Sequence, residues 1–261
     1  MPLLRTNPAN KLNTQERINL AKQRMSKVVD HLLHSLAMNE TNQIVLYSDV
    51  LSSQIGQSHA ANAFNLMRDS LFRYSVIRLC TIWDSDIDLE TESICTVVDL
   101  IDDHKVILEL MRETCGHWAG KTAYLGTPPV EPELAQEVLR QIRESEDRFG
   151  RVQGIRTART LLRAIASVKE ISQSNDMKVI RQLRNKHLAH ALNETREEKR
   201  TGPVRLMKYR EETQLLEKTI SIVNDLYCWV NGASFDFEGS IQMRREDSEA
   251  LWNGCEFKPF R

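Results

Sequence analysis

The sequence predicts an all-α fold, and three observations predict it. Apolar residues recur near a 3.6-residue period over most of the chain. Ten Gly and seven Pro in 261 residues amount to about half of average usage. That is too few for a sandwich or barrel, which turns about every 8–12 residues. The punctuators also cluster, with Gly-Thr-Pro-Pro-Val-Glu-Pro at 126–132 the clearest loop. At 41 % hydrophobic residues the chain can bury a core. No run approaches the roughly 18 uncharged apolar residues of a membrane span.

The elements follow in order. Thr14 is read as the cap of a helix over 15–38, on the spacing of Ile18, Ala21, Met25, Val28, Val29, Leu32, Leu33 and Leu36. His31 and His34 sit one turn apart beside Leu32 and Leu33 and are expected to be partly buried structural residues. A second helix is expected over 58–83 and ends at Asp84-Ser85-Asp86. Ser93 is the expected cap of a third, over 94–117. A helix pair is expected at 133–149 and 157–171, then a helix over 176–193 capped by Ser174 or Asn175. The last strong helix is expected over 210–230, stopped by Asn231-Gly232. After it, Phe235, Phe237, Trp252, Phe257 and Phe260 are spaced irregularly among polar residues. This predicts a domain over 1–232 and an irregular, aromatic C-terminal arm over 233–261 that docks on the body or on a partner subunit.

The five cysteines, Cys80, Cys95, Cys115, Cys228 and Cys255, are odd in number and share no Cys-x-x-Cys spacing. They predict reduced thiols in a cytoplasmic protein and no disulfide framework. Residues 1–24 lack an apolar core followed by small residues, so no secretory signal is expected. The net charge of −1 excludes a uniformly basic nucleic-acid coat. It conceals two blocks. Residues 84–147 carry sixteen acids against five bases, a balance of −11. Residues 148–210 carry sixteen bases against five acids, a balance of +11. The basic block attracts phosphates, unless the two blocks simply face each other.

Gly116-His-Trp-Ala-Gly-Lys-Thr122 is not a phosphate loop. It has three residues between its glycines where four are needed, and it follows a helix where a strand is needed. Gly116 or Gly120 is read as a helix C-cap. No Gly-x-Ser-x-Gly elbow and no Gly-x-Gly-x-x-Gly turn is present.

The densest chemistry is Arg181-Gln-Leu-Arg184-Asn185-Lys186-His187-Leu-Ala-His190, inside the basic block. Arg184 and His187 share a helix face. Arg184 and His190, six residues apart, differ in direction by roughly 120° on a regular helix. A second copy across a two-fold axis would complete a site more easily. The residue types suit RNA cleavage. Arg184 can neutralise charge on a pentacoordinate phosphorane. His190 can take the proton from a ribose 2′-OH or give one to the leaving 5′-oxygen, and Asn185 can orient the phosphate or the imidazole. Two other readings stand beside this one. His187, His190 and Glu194 have ligand-like helical spacing for zinc or iron. Alternatively, the histidines are polar residues near a helix C-terminus.

Arg184-Asn-Lys-His-Leu-Ala-His190 resembles the Arg-(polar)-x4–6-His signature of the HEPN superfamily, in the Arg-Asn-Lys-x-x-Ala-His form of its abortive-infection, AbiU-type branch. Upstream, the apolar helix Phe64 to Asp84 resembles that branch's long helix ending in an Asp, with Ser93 following at a similar offset. Downstream, Thr219 to Gly232 resembles its closing helix. The resemblance covers 27–237. It implies a helical bundle, a homodimer with active sites near the interface, and metal-independent endoribonuclease activity in prokaryotic defence or toxin systems. It makes Arg184 and His190 the catalytic pair and Asn185 their polar associate; Lys186 and His187, inside the variable spacer, and Arg181 are expected RNA contacts. No metal ion and no cofactor is expected. RNA is the expected ligand, with an antitoxin or defence-system protein as a further partner and no membrane. The alternative is a non-catalytic HEPN module that binds nucleotide, nucleic acid or an acidic protein.

Overall fold

The computed structural model describes residues 8–85, 89–118, 131–185, 199, 202–203, 205 and 207–258. Among these the chain forms a short 3-10 turn, Pro8–Lys11, and nine α-helices, with no strand. The helices are α1 Thr14–Val45, α2 Asp49–Ile55, α3 His59–Ile82, α4 Ile94–Ile101, α5 His104–Trp118, α6 Pro132–Gln173, α7 Asn175–Leu183, α8 Glu211–Asn231 and α9 Phe237–Trp252.

α1 is the axis of the bundle and packs against α3, α4, α5, α8 and α9. Its periodic residues Ile18, Ala21, Met25, Val28, Val29, Leu32 and Leu36 are all buried. The cap is Asn13 and not Thr14. Asn13 Oδ1 accepts from the Glu16 amide at 2.9 Å, and Glu16 Oε2 accepts from the Asn13 amide at 2.8 Å, a reciprocal capping box. The helix continues past Met38 because the polar run 39–43 packs against the body, with Glu40 and Asn42 buried. Glu40 is 6 % exposed and takes Arg245 of α9 at 3.1 Å. His31 is half-buried and accepts from Arg78 at 2.9 Å; His34 is exposed and meets the Tyr74 hydroxyl at 3.3 Å.

Three breaks differ from expectation. The helix expected over 94–117 is two helices that part at Asp102. Asp103 Oδ1 accepts from the Lys105 and Val106 amides and starts α5. The buried Arg17 guanidinium takes the Leu100 and Asp99 carbonyls that end α4, at 2.7 and 3.2 Å, meeting the unpaired carbonyls of a helix C-terminus with a cation. Conversely, the expected pair 133–149 and 157–171 is one helix, α6. Gly150 and Gly154, in the gap between the two expected helices, let α6 lie close on α5. A Cβ at 150 would lie 2.8 Å from the Cys115 carbonyl oxygen. Gly116 does not cap α5, which runs on to Trp118, where the indole packs edge-on against Phe149 at 5.0 Å. Gly120 lies outside the described residues.

The C-terminal arm is not irregular. Asp236 Oδ1 accepts from the Gly239 amide at 2.8 Å and caps α9. Phe237 enters the main core, while Trp252 and Phe257 pack on a small second cluster of Val45, Leu51, Ile55 and Phe64. The aromatic spacing looks irregular because Phe235 and Phe237 serve one cluster and Trp252 and Phe257 the other. Phe260 lies outside the described residues. That second cluster also explains α2, which composition alone does not reveal: Ser48 caps it and it buries only Leu51 and Ile55.

No helix among the described residues is long and apolar enough to cross a membrane. Burial pushes the Cys80 thiol up to about 12 and the Cys95 thiol to about 11, so both are protonated core residues.

Where α8 begins, Arg210 adopts a left-handed φ of 72° with its guanidinium 5.0 Å from the Tyr47 ring. The Tyr47 hydroxyl donates to Glu212 Oε1. Glu212 is 6 % exposed, and its Oε2 and Asn42 Oδ1 are buried without a hydrogen bond among the described residues. Both residues line a polar cavity of about 20 Å³. Burial raises the Glu212 carboxyl above its usual range, against the pull of the Tyr47 hydrogen bond. The folded state therefore holds this proton more tightly than the unfolded chain. The resulting stabilisation is complete below the unfolded carboxyl value, about 4.3, and is lost as pH rises through the higher folded value. Glu212→Gln removes this linkage. Urea midpoints across pH 4 to 8 are expected to show the variant gaining stability relative to the unsubstituted protein as pH rises.

Candidate functional site

The site grows from the contact between the end of α3 and α7. Ser174 Oγ accepts from the Met177 amide at 3.2 Å and starts α7. Met177, Val179 and Ile180 are buried and fix the helix on the core. The Cys80 thiol of α3 points at the Ile180 carbonyl, 3.8 Å away. After Leu183 the backbone opens into a π-helical turn at Arg184 and Asn185, a local widening that often accompanies functional positions. The 120° separation expected between Arg184 and His190 assumes a regular helix, and this turn departs from one.

Arg184 is held on two sides. Its Nη1 donates to both oxygens of Asp84 at 2.5 and 2.7 Å, and its Nε donates to Asn185 Oδ1 at 3.0 Å. Nη2 makes no hydrogen bond among the described residues. The side chains of Arg184 and Asp84 are 24 % and 31 % exposed. Burial works against the guanidinium charge, but the Asp84 hydrogen bond, with the neighbouring Cys80 and the Asp84 carboxylate, raises the Arg184 pKa overall. The cation is thus both fixed and partly desolvated, the condition in which a charge-assisted hydrogen bond to phosphate is strong.

Arg181 braces the same corner. Its Nη2 donates to the Trp83 carbonyl at 2.7 Å and its Nη1 to the Ser172 carbonyl at 3.1 Å. The Trp83 carbonyl also receives the Cys95 thiol at 3.4 Å, and the fully buried Trp83 indole donates to Thr219 Oγ1 at 2.9 Å. Of the residues expected at the site, the structure brings together Arg181, Arg184 and Asn185. Lys186, His187 and His190, with Glu194 of the alternative metal set, lie outside the described residues. Among the described residues no group of three His, Cys, Asp or Glu side chains could hold a metal ion. Asp84 is the residue that sequence reasoning did not place at the site. Its only signal is its position, closing an apolar helix immediately after Trp83.

A family model described as HEPN AbiU2 matches residues 22–251. No curated protein and no solved structure matches the chain.

Arg181→Lys keeps the charge but loses the planar fork that spans two carbonyls. It is expected to lower stability by about 1–2 kcal/mol, since one carbonyl loses its partner, measured as a fall in urea midpoint with an unchanged slope.

Proposed function

The chain belongs to the AbiU2 family of HEPN domains, and from that membership we propose that it is a metal-independent endoribonuclease acting as a prokaryotic defence or toxin effector. The observation that carries this reading is the posture of Arg184. Asp84 and Asn185 occupy Nη1 and Nε, which leaves Nη2 as the arm of the fork to engage a phosphate oxygen.

In the proposed reaction the ribose 2′-oxygen attacks the adjacent phosphorus and the bond to the 5′-oxygen breaks. One general base takes the 2′-OH proton and the 5′-oxygen acquires one as it leaves. The products are a 2′,3′-cyclic phosphate and a 5′-OH. The nucleophile comes from the substrate, so no activated water is needed. His190 moves the proton, its ordinary pKa lying near neutrality. Arg184 neutralises the equatorial charge of the phosphorane, and Asn185 orients either the phosphate or the Arg184 fork. Asp84 is a positioning residue that acts through Arg184. Lys186 and His187 are proposed RNA contacts. With its carbonyl bonds made, Arg181 contributes to the site as a brace. We also propose a homodimer, with an antitoxin or other defence protein as a further partner.

Incubation with total RNA, followed by mapping of the ends, tests the reading. Arg184→Ala and His190→Ala are expected to lose cleavage by about 10²–10⁴-fold, and EDTA is expected to leave it intact. Variants as active as the unsubstituted protein would sink the assignment. Loss of activity in EDTA, restored by zinc or iron, would move the chemistry to His187, His190 and Glu194. Saturable, salt-weakened RNA binding with no product would make the chain a non-catalytic module.

A further inference from the structure

The basic half of α6 is left without acids. Arg148, Arg151, Arg156 and Arg159 have no carboxylate partner among the described residues, and Arg163 shares Asp225 of α8 at 3.4 Å. Several acids of the neighbouring block are engaged elsewhere. Asp103, Glu113 and Glu92 pair with Arg17, Lys22 and Arg24 of α1. Glu137 and Glu144, on the acidic half of α6, both pair with Arg140.

These arginines border a groove of about 620 Å³ between α6 and α8, lined by Val152, Ile155, Arg156, Arg159, Arg163 and Trp229, with Thr160 and Asp225. Its floor is apolar and open: Val152 is 56 % and Ile155 58 % exposed. The Arg156 guanidinium lies 5.8 Å from the centre of the Trp229 ring. Arg156, Arg159 and Arg163 are three and four residues apart, so they share one face of the helix and step along it by about 5–6 Å.

We infer that this groove binds single-stranded RNA, as a substrate-holding track separate from the cleavage centre. The inference rests on the ribonuclease reading above. A row of exposed guanidinium groups, of which only Arg163 has a carboxylate partner among the described residues, fits successive phosphates. An apolar floor with an indole and a stacked guanidinium fits unstacked bases, which a duplex would keep hidden. A second copy of α6 fits less well, because Glu137 and Glu144, two of the acids it would offer, are already bridged to Arg140. The groove and the centre also share a support. α6 runs on from Arg163 for nine residues, about 14 Å of rise, to Ser172, whose carbonyl receives Arg181.

The test uses the full chain carrying His190→Ala and a fluorescein-labelled single-stranded RNA, with anisotropy read over a range of salt. Changing Arg156, Arg159 and Arg163 together to Gln is expected to weaken binding at least 10-fold and to reduce the slope of log K against log salt by about 2, from about 0.7 per phosphate contact on a single strand. The triple Lys variant is expected to keep most of the slope. Thermal melts verify that both variants fold, and the exposure of these side chains makes Gln a mild change. Unchanged affinity and slope in the Gln variant would overturn the inference. So would a Gln variant that binds normally but sediments as a smaller species, which would make this face an interface between copies. The two readings fail separately. Cleavage by the unsubstituted protein with unchanged binding by the Gln variant removes the groove alone. Groove-dependent binding with no cleavage removes the nuclease alone.

Discussion

The structure turns on one fully buried residue, Trp83, where α3 ends. Its indole N–H reaches Thr219 of α8, and its carbonyl receives Arg181 of α7 and Cys95 of α4. Four helices distant in sequence thus meet at one backbone position. An indole donor and a helix-terminal carbonyl are groups that a core cannot leave unpaired, because each would cost about 1–3 kcal/mol if buried alone. Satisfying both with side chains from other helices converts that requirement into a fixed crossing point. Asp84 is the next residue, so whatever locates Trp83 also locates the carboxylate that holds Arg184.

The helical frame was legible in the sequence because its signals are local. The apolar period of α1, the Ser174 cap of α7 and the Asn231-Gly232 stop of α8 depend on neighbours within a turn or two. What misled were residues whose partners lie far away. Gly150 and Gly154, in the gap between the two expected helices, make room for Cys115. The polar run 39–43, beyond the expected helix over 15–38, meets Arg245 and Thr213 through Glu40 and Asn39. Nothing near Asp102 reveals that Arg17 closes the end of α4 from 83 residues away. The site divides in the same way. Arg184 and Asn185 stand out as a motif, whereas Asp84, 100 residues upstream, is recognised as a partner only once α3 and α7 are packed.

The two opposed charge blocks neutralise each other only in part. Across the blocks, Lys169 meets Asp102 at 2.5 Å and Arg184 meets Asp84. Most of the paired acids of the first block turn instead to α1 or to arginines on their own helix. The near-zero net charge is therefore a property of the whole chain and of no single surface. The surplus of the basic block collects along α6, where the arginines are exposed and each lies within roughly a Debye length of the next at physiological salt, so the fields of neighbours add.

That distribution bears on how a centre built around Arg184 could work. A half-buried guanidinium is stable as a cation here because Asp84 offsets its desolvation. The same carboxylate nearly cancels its charge when seen from a distance. On the proposed reading the pair discriminates geometry at close range, through the Nη2 arm that makes no hydrogen bond among the described residues, but it has little long-range attraction for a polyanion. In the proposed reading, recognition falls to the fixed, compensated charge at the centre and attraction to the arginines of the basic half of α6, of which only Arg163 has a carboxylate partner among the described residues. A bundle helix 42 residues long is suited to carrying both, since it spans from the free arginines to the Ser172 carbonyl that braces Arg181 without an intervening joint.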